Sequence, residues 1–283
     1  MSTDRPADAV HAPADRPGPI IGTNVKMHQT PAETVAFLRG LGAALAPLVP
    51  GGDAASATID RATSRYFVIP PFTSLPAAVE TAADLPVPVR IGAQTMHWAE
   101  EGAYTGEISA RMLAAVGVDF VLLGHAERRT FFHETDHDLA RKVDAALGAG
   151  LAVQLCVGET ADERDHGAGD LTVARQLTYA LAGVDPAGAG RLTIAYEPVW
   201  SIGTSGTPAT PDAVLGIATT IRNTLRDRFG DRSEHVSLLY GGSVSPDNAA
   251  GFLALDPVDG LFVGRAAWSV SGFAALAGES YPQ

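Results

Sequence analysis

Nine residues follow directly after short apolar runs in the sequence, and their types suit proton transfer. They are Asn24, Lys26, Gln94, His125, Glu159, Glu197, Ser243, Gly264 and Arg265. A carboxylate can act as a base, a histidine as an electrophile, a lysine as a fixed positive charge and an asparagine as a neutral hydrogen-bond donor. Proton abstraction next to a carbonyl group needs these parts, provided that the fold brings them together.

The same residues make a poor metal site, and no cofactor is expected. The possible ligands come from different apolar runs, show no H-E-x-x-H or paired-histidine spacing, and include Lys26, whose charge would repel a cation. Cys156 is the only cysteine, which excludes an internal disulfide and a cysteine-rich metal centre. No apolar run is followed by a G-x-G-x-x-G turn, so a dinucleotide is not indicated either.

Two kinds of loop indicate how a substrate would be held. Glu197 opens the stretch "EPVWSIGTSGTPATP" (residues 197–211, the lid segment), whose prolines flank a small-residue tip and predict a loop that closes as a unit. The stretches "YGGSVSPDNA" and "VGRAAW" place glycines, with their accessible backbone N–H groups, near predicted helix starts. Loops of this kind after the last two strands of a barrel favour a phosphate group.

The elements that must position these residues alternate along the chain. Eight apolar, β-branched runs, from "PIIGTN" to "GLFVGR", are separated by Ala- and Leu-rich segments with helical spacing. We therefore predict an α/β protein with a single (β/α)8 barrel domain over residues 19–283. Residues 1–18 are predicted to be a disordered tail, and "GGDAASATIDRATSR" (residues 51–65) an exposed insertion before the second strand.

Composition limits the partners. Twenty Lys and Arg against thirty-two Asp and Glu give a formal net charge of −12, and no basic cluster stands out, so neither nucleic acid nor a membrane is an expected partner. The N-terminal stretch has no apolar core of a signal peptide, and the lone cysteine favours a reducing compartment. We therefore expect a cytoplasmic protein with a small-molecule substrate.

Six stretches, taken in order, resemble the signatures of the triosephosphate isomerase family. They are "GTNVKM", "GAQTMHWAEEGAYTGEIS", "VLLGHAERRTFFHETD", "LCVGET", "AYEPVWSIGT" and "YGGSVSPDNA". The resemblance implies a cofactor-free isomerase of glycolysis and gluconeogenesis that converts dihydroxyacetone phosphate into glyceraldehyde 3-phosphate. It implies that Glu197 shuttles the proton between adjacent carbons, and that His125 polarises the carbonyl and moves protons between the oxygens. Lys26 would stabilise the enediolate, and Asn24 would orient the substrate oxygens.

The resemblance further implies how the phosphate is bound and how the chain assembles. Backbone N–H groups around Gly203, Ser243 and the turn at Gly264 would together hold the phosphate of the sugar, and Glu127 would pair with Lys26. A homodimer is implied, with a protruding third loop that carries Thr105 toward the partner's active site. The other implied interface residues are Met27 and Gln94.

Four departures from the family pattern leave the substrate open. Val25 and Ala126 replace a tryptophan and a serine, the lid segment is one residue longer, and Arg265 replaces the second glycine of the last turn. Arg265 would add a cation to the phosphate turn, reach an extra oxygen of a longer substrate, or point outward to solvent or to a carboxylate. These changes resemble a branch of the family that isomerises L-erythrulose 1-phosphate to D-erythrulose 4-phosphate in erythritol catabolism. An inactive barrel with a binding role is the remaining alternative.

Overall fold

Eight parallel strands form a closed barrel in the computed structural model, which describes residues 18–48, 64–203 and 206–279. Each strand pairs with its sequence neighbours, and β8 pairs with β1. The strands are β1 (Ile20–Asn24), β2 (Tyr66–Ile69), β3 (Arg90–Ala93), β4 (Phe120–Leu123), β5 (Ala152–Val157), β6 (Leu192–Tyr196), β7 (Ser237–Tyr240) and β8 (Gly260–Val263). The predicted fold class and the single domain are confirmed.

Helices fill every connection between strands in the described residues. They are α1 (Pro31–Leu45), α2 (Leu75–Ala83), α3 (Ala110–Val116), α4 (Ala126–Phe131), α5 (Asp136–Gly148), α6 (Ala161–Asp165), α7 (Gly169–Ala180), α8 (Pro211–Phe229), α9 (Pro246–Leu253) and α10 (Val270–Glu279). Several begin with a capping box; at α1 the Thr30 hydroxyl accepts from the Glu33 amide, and the Glu33 carboxylate accepts from the Thr30 amide. None of the described helices is long and apolar enough to cross a membrane.

The inside of the barrel is packed with side chains and is therefore not a pore. Phe67 and Phe120 meet edge to face there, with ring centroids 5.4 Å apart. Gly22 and Gly92 make room for these rings, because an added Cβ would lie 2.2 Å from Phe67 at the first position and 2.4 Å from Phe120 at the second. A larger cluster fills the space between the sheet and the helices. A solid interior leaves the two ends of the barrel as the places for a binding site.

Two sequence predictions fall largely outside the described residues. Of the predicted tail (residues 1–18), only Gly18 is described. Of the predicted insertion (residues 51–65), only the last two residues, Ser64 and Arg65, are described. The predicted exposure was wrong for these two, which are only 5% and 7% exposed. Their polar atoms are paired: the Tyr66 amide donates to the Ser64 hydroxyl at 3.1 Å, and the Arg65 guanidinium donates to the Tyr66 hydroxyl at 2.6 Å.

Candidate active site

A cavity of about 400 Å³ lies at the carboxyl ends of the strands. All eight residues that were predicted to catalyse or to bind substrate line it: Asn24, Lys26, His125, Glu197, Gly203, Ser243, Gly264 and Arg265. The three predicted interface residues lie elsewhere: Gln94 is beneath the cavity wall, while Met27 (95% exposed) and Thr105 face outward. The fold thus gathers residues from five strand ends and the lid segment into one place.

Glu197 and His125 face each other within this cavity, and both are nearly inaccessible at 3% and 4% exposure. Glu197 follows β6 and His125 follows β4, so the loops on either side of the β5 loop deliver them. Glu197 Oε1 lies 3.4 Å from His125 Nε2, and Glu197 Oε2 accepts a hydrogen bond of 3.3 Å from the backbone amide of Ala126. A carboxylate and an imidazole are therefore held side by side at the cavity wall.

The N-terminus of α4 fixes the tautomer of His125. His125 is the N-cap residue, and its Nδ1 accepts a hydrogen bond of 3.2 Å from the amide of Glu127. A backbone amide can only donate, so Nδ1 must be unprotonated and the neutral ring carries its hydrogen on Nε2. The histidine therefore directs an N–H donor, and not a lone pair, at the region beside Glu197.

Lys26 lies after β1 in a left-handed backbone conformation, with a φ of 55°. Two hydrogen bonds hold this uncommon geometry: the Lys26 amide donates to Asn24 Oδ1 at 2.8 Å, and Gln94 Nε2 donates to the Lys26 carbonyl at 2.7 Å. The Lys26 ammonium pairs with Glu127 Oε1 at 2.6 Å. The pairing that the resemblance implied between these two residues is present in the structure, and it fixes the ammonium group at the cavity.

Asn24 presents its amide nitrogen to the cavity. Its Oδ1 already accepts from the Lys26 amide at 2.8 Å and from Gln94 Nε2 at 3.3 Å. The carbonyl end of the side chain is thereby committed to the protein, and the NH2 end remains available as a donor. Trp268, in the segment after β8, stabilises the loop after β1, because its indole nitrogen donates a hydrogen bond to the Asn24 carbonyl at 2.9 Å.

Glu159 anchors the start of the lid segment. It accepts from the Trp200 indole nitrogen at 2.6 Å and from the Tyr196 hydroxyl at 3.1 Å. The guanidinium of Arg164 lies 4.2 Å from the centre of the Trp200 ring. Burial, followed by the Glu159 charge, raises the pKa of Tyr196, so the phenol remains a hydrogen-bond donor to this carboxylate. Glu159 therefore acts as a structural acceptor.

The loops after β7 and β8 form the opposite wall. Ser243 follows two glycines, and Asn248, in the first turn of α9, donates to the Ser243 carbonyl at 3.1 Å. Arg265 begins a short 3-10 turn after Gly264, and its exposed side chain forms no ion pair with any described residue. A carboxylate partner therefore does not explain Arg265, which contributes to the lining of the cavity.

Several lining residues were not picked out as site residues from the sequence. They are Ser201, Ile202, Gly206, Gly241, Gly242, Val244, Phe262, Val263, Ala266 and Trp268. Most belong to the same three loops, so the loop motifs indicated their neighbourhood. Ser201 is the most polar of the buried ones, and its only signal was its place in the lid segment, four residues after Glu197.

Cys156 lies within the barrel interior and contributes no reactive thiol. Its side chain belongs to the packed interior cluster and is 1% exposed. Burial, then the nearby Glu197 charge, raises the pKa of the Cys156 thiol well above its ordinary value, so the sulfur stays protonated and unreactive at neutral pH. Within the described residues, no group of three or more His, Cys, Asp or Glu side chains is arranged to hold a metal ion.

Comparisons with known proteins point to one family. A family model described as triosephosphate isomerase matches residues 19–280. The triosephosphate isomerase of Solibacter usitatus is 40% identical over 260 residues, covering 91% of this chain and 98% of that protein. The L-erythrulose-1-phosphate isomerase of Rhizobium etli is 41% identical over 259 residues, covering 89% of each. The crystal structure of triosephosphate isomerase from Bartonella henselae is 32% identical and superposes with a TM-score of 0.78, covering 93% of this chain and 99% of that one.

Proposed function

Because the chain belongs to the triosephosphate isomerase family, we propose that it interconverts dihydroxyacetone phosphate and glyceraldehyde 3-phosphate. The observation that carries the proposal is the pairing of Glu197 Oε1 with His125 Nε2 at 3.4 Å in a buried wall of the cavity that Lys26 also lines. Base, electrophile and cation thus surround one space of substrate size. No metal or cofactor enters the proposed reaction.

In the proposed mechanism, Glu197 removes a proton from the carbon beside the substrate carbonyl. The Nε2–H of His125 donates to the carbonyl oxygen, on which negative charge develops as the enediolate forms. Lys26 supplies a positive charge near that oxygen, and the free NH2 of Asn24 donates a hydrogen bond to it. His125 passes its Nε2 proton to that oxygen and takes up the proton of the neighbouring hydroxyl, so that hydroxyl and carbonyl exchange places. Glu197 then returns its proton to the former carbonyl carbon, which completes the isomerisation and regenerates the carboxylate and the neutral histidine.

The phosphate of the substrate is proposed to bind between the lid segment and the last two strand ends. The backbone N–H groups of Gly203, Ser243 and Gly264 are the proposed donors, and α9 directs its N-terminus toward the same loop. Gly203 has a φ of +89°, a conformation that side chains disfavour, so the lid needs glycine at this point. Closure of the lid over the phosphate would exclude water from Glu197.

The direct test is a coupled assay of the purified protein with dihydroxyacetone phosphate and with glyceraldehyde 3-phosphate. Turnover in both directions, unaffected by a metal chelator, is the expected result. If this pair is not converted, the proposal is wrong: conversion of a tetrulose phosphate alone would then support the second candidate below, and conversion of neither would support the inactive-barrel alternative.

L-erythrulose 1-phosphate is the second candidate substrate, and the position of Arg265 favours it. The Arg265 side chain lines the cavity and is exposed without a described carboxylate partner, so its guanidinium is available to bind a substrate oxygen. A relative 41% identical to this chain carries that activity in its name. The proton transfers would be the same, since only the part of the substrate beyond the reacting carbons differs.

Replacing Arg265 with glycine is expected to change substrate preference if the second candidate is correct. A hydrogen bond to a charged group contributes about 1.5–3 kcal/mol, so the ratio of kcat/KM for the tetrulose phosphate to that for the triose phosphate should fall about tenfold or more. The measurement is kcat/KM for both substrates in parallel. Arg265→Lys, which keeps the charge, is the control and should retain most of the preference; an unchanged ratio in Arg265→Gly would remove Arg265 from substrate selection.

We also propose that the chain forms a homodimer in the cytoplasm. Met27 is 95% exposed next to Lys26, and the third loop around Thr105 projects from the barrel with Tyr104 47% exposed. Exposed apolar side chains beside an active-site loop are suited to burial by a second copy. Sedimentation equilibrium should give twice the monomer mass, whereas a monomer with full activity would contradict the dimer.

A further inference from the structure

Ser201 lies where the lid segment meets the proposed phosphate site. It ends the 3-10 turn Val199–Ser201, which follows Glu197 and Pro198 directly. Its side chain is fully buried yet lines the cavity. The Ser201 hydroxyl accepts a hydrogen bond of 3.3 Å from the backbone amide of Ser243. This bond joins the loop after β6 to the loop after β7.

This bond occupies the Ser243 amide, a donor that the proposed function assigns to the substrate phosphate. A backbone amide carries a single hydrogen, so one acceptor must leave when a stronger one arrives, and a phosphate oxygen is charged whereas a hydroxyl is not. We infer that Ser201 is a positioning residue that holds the Ser243 amide in the empty site and is displaced from it by the phosphate of the substrate. The inference rests on the proposed function.

The surroundings of Ser201 provide a second partner for the released hydroxyl. The phenol oxygen of Tyr240 is fully buried and has no hydrogen-bond partner among the described residues. An added Cβ at Gly242, the residue before Ser243, would lie 2.1 Å from this oxygen, so Tyr240 lies beside the loop that Ser201 contacts. Burial raises the pKa of Tyr240, and the Ser201 hydroxyl lowers it. Turning Ser201 toward Tyr240 therefore exchanges one hydrogen bond for another and gives the buried phenol oxygen of Tyr240 a partner.

Displacement of Ser201 would affect Glu197, the proposed catalytic base. The Ser201 amide donates to the Pro198 carbonyl at 2.8 Å, so the turn from Pro198 to Ser201 is internally tied. Glu197 is the residue before this turn. Occupation of the phosphate site would thus act on the segment that carries the catalytic carboxylate, through a bond made only while the site is empty.

The test is Ser201→Ala, with inorganic phosphate as the probe. Removing an acceptor that competes with the ligand should tighten phosphate binding, because the variant has no internal bond to break. A hydrogen bond contributes about 1 kcal/mol net, so the inhibition constant for inorganic phosphate should fall about threefold to tenfold. KM for the sugar phosphate should fall in parallel, while kcat should not rise.

Ser74→Ala is the matched control. Ser74 is also a fully buried serine in a 3-10 turn, but its hydroxyl has no partner among the described residues and it does not line the cavity. The inhibition constant of the Ser74→Ala variant for inorganic phosphate should equal that of the wild type. Ser201→Gly, which also lacks the hydroxyl, provides a second variant if Ser201→Ala does not fold, and circular dichroism checks both.

Three outcomes separate this inference from the proposed function. A higher inhibition constant in Ser201→Ala would mean that the hydroxyl binds phosphate directly, and an unchanged one would mean a structural role; either result overturns the inference while wild-type isomerase activity stands. Absence of isomerase activity in the wild type would instead overturn the proposed function. In that case no inhibition constant can be measured, and calorimetric titration compares the phosphate affinity of Ser201→Ala with that of the wild type.

Discussion

Replacing Glu197 with glutamine is expected to lower kcat about a thousandfold or more, because it removes the proposed general base without changing side-chain size. Glutamine can still accept from the Ala126 amide, which bonds Glu197 Oε2 at 3.3 Å in the native protein. The site should therefore keep its shape, and KM should change much less than kcat. Steady-state kinetics in both directions is the measurement.

Glu197→Asp separates position from chemistry. Shortening the side chain by one methylene keeps a carboxylate but withdraws it from the reacting carbon by roughly 1 Å, and a displacement of that size costs about a hundredfold in rate. An intermediate loss is therefore expected, smaller than that of Glu197→Gln. If both variants retained the wild-type rate with an unchanged melting temperature, another residue would have to be the base.

Replacing Lys26 with methionine is expected to lower kcat/KM about a hundredfold to a thousandfold, since it removes the only cation proposed to face the developing oxyanion. The unpaired carboxylate of Glu127 is a second cause of the expected loss in kcat/KM. Glu127, which pairs with Lys26 at 2.6 Å, would keep its negative charge without the cation that offsets it, and that charge would repel the anionic substrate. Both KM and kcat should therefore worsen, and the inhibition constant for inorganic phosphate should rise.

The double variant Lys26→Met with Glu127→Gln distinguishes the two causes. If the unpaired carboxylate contributes to the loss, the double variant should recover part of the phosphate affinity that Lys26→Met loses. Glu127→Gln alone keeps the ammonium and should lose far less activity than Lys26→Met. Equal losses in Lys26→Met and Glu127→Gln would indicate that the pair is needed only to shape the loop.

The positions of the catalytic residues could be predicted because they depend on few variables. In a closed parallel barrel, every strand ends at the same face, so a residue directly after an apolar run must lie at that face. Glu197 and His125 directly follow β6 and β4, which places both at this face, whereas their 3.4 Å separation is set by the loops and side chains that carry them. The fold class was predictable for a related reason, since alternating buried strands and amphipathic helices have few closed arrangements.

Contacts between loops could not be predicted in this way. The bond between Ser201 and Ser243 joins two loops whose separation is set by side-chain packing and not by strand register. The left-handed backbone of Lys26 likewise cannot be predicted from its residue type, because it is stabilised by a hydrogen bond that the Lys26 amide donates to Asn24 and by one that Gln94 donates to the Lys26 carbonyl. The burial of Ser64 and Arg65 was missed because polar composition predicted exposure, while tertiary hydrogen bonds paired their polar atoms.

The pairing of β1 with β8 has a consequence for the making of the protein. The first strand obtains its second neighbouring strand only when the last strand has been synthesised. The Asn24 carbonyl likewise accepts a hydrogen bond from Trp268, which lies 244 positions later in the chain. A chain emerging from the ribosome therefore carries an open sheet with an unpaired edge for most of its synthesis, and such edges favour association with other chains. Since Asn24 and Lys26 depend on that closure, the active site cannot be completed until nearly the whole chain has left the ribosome.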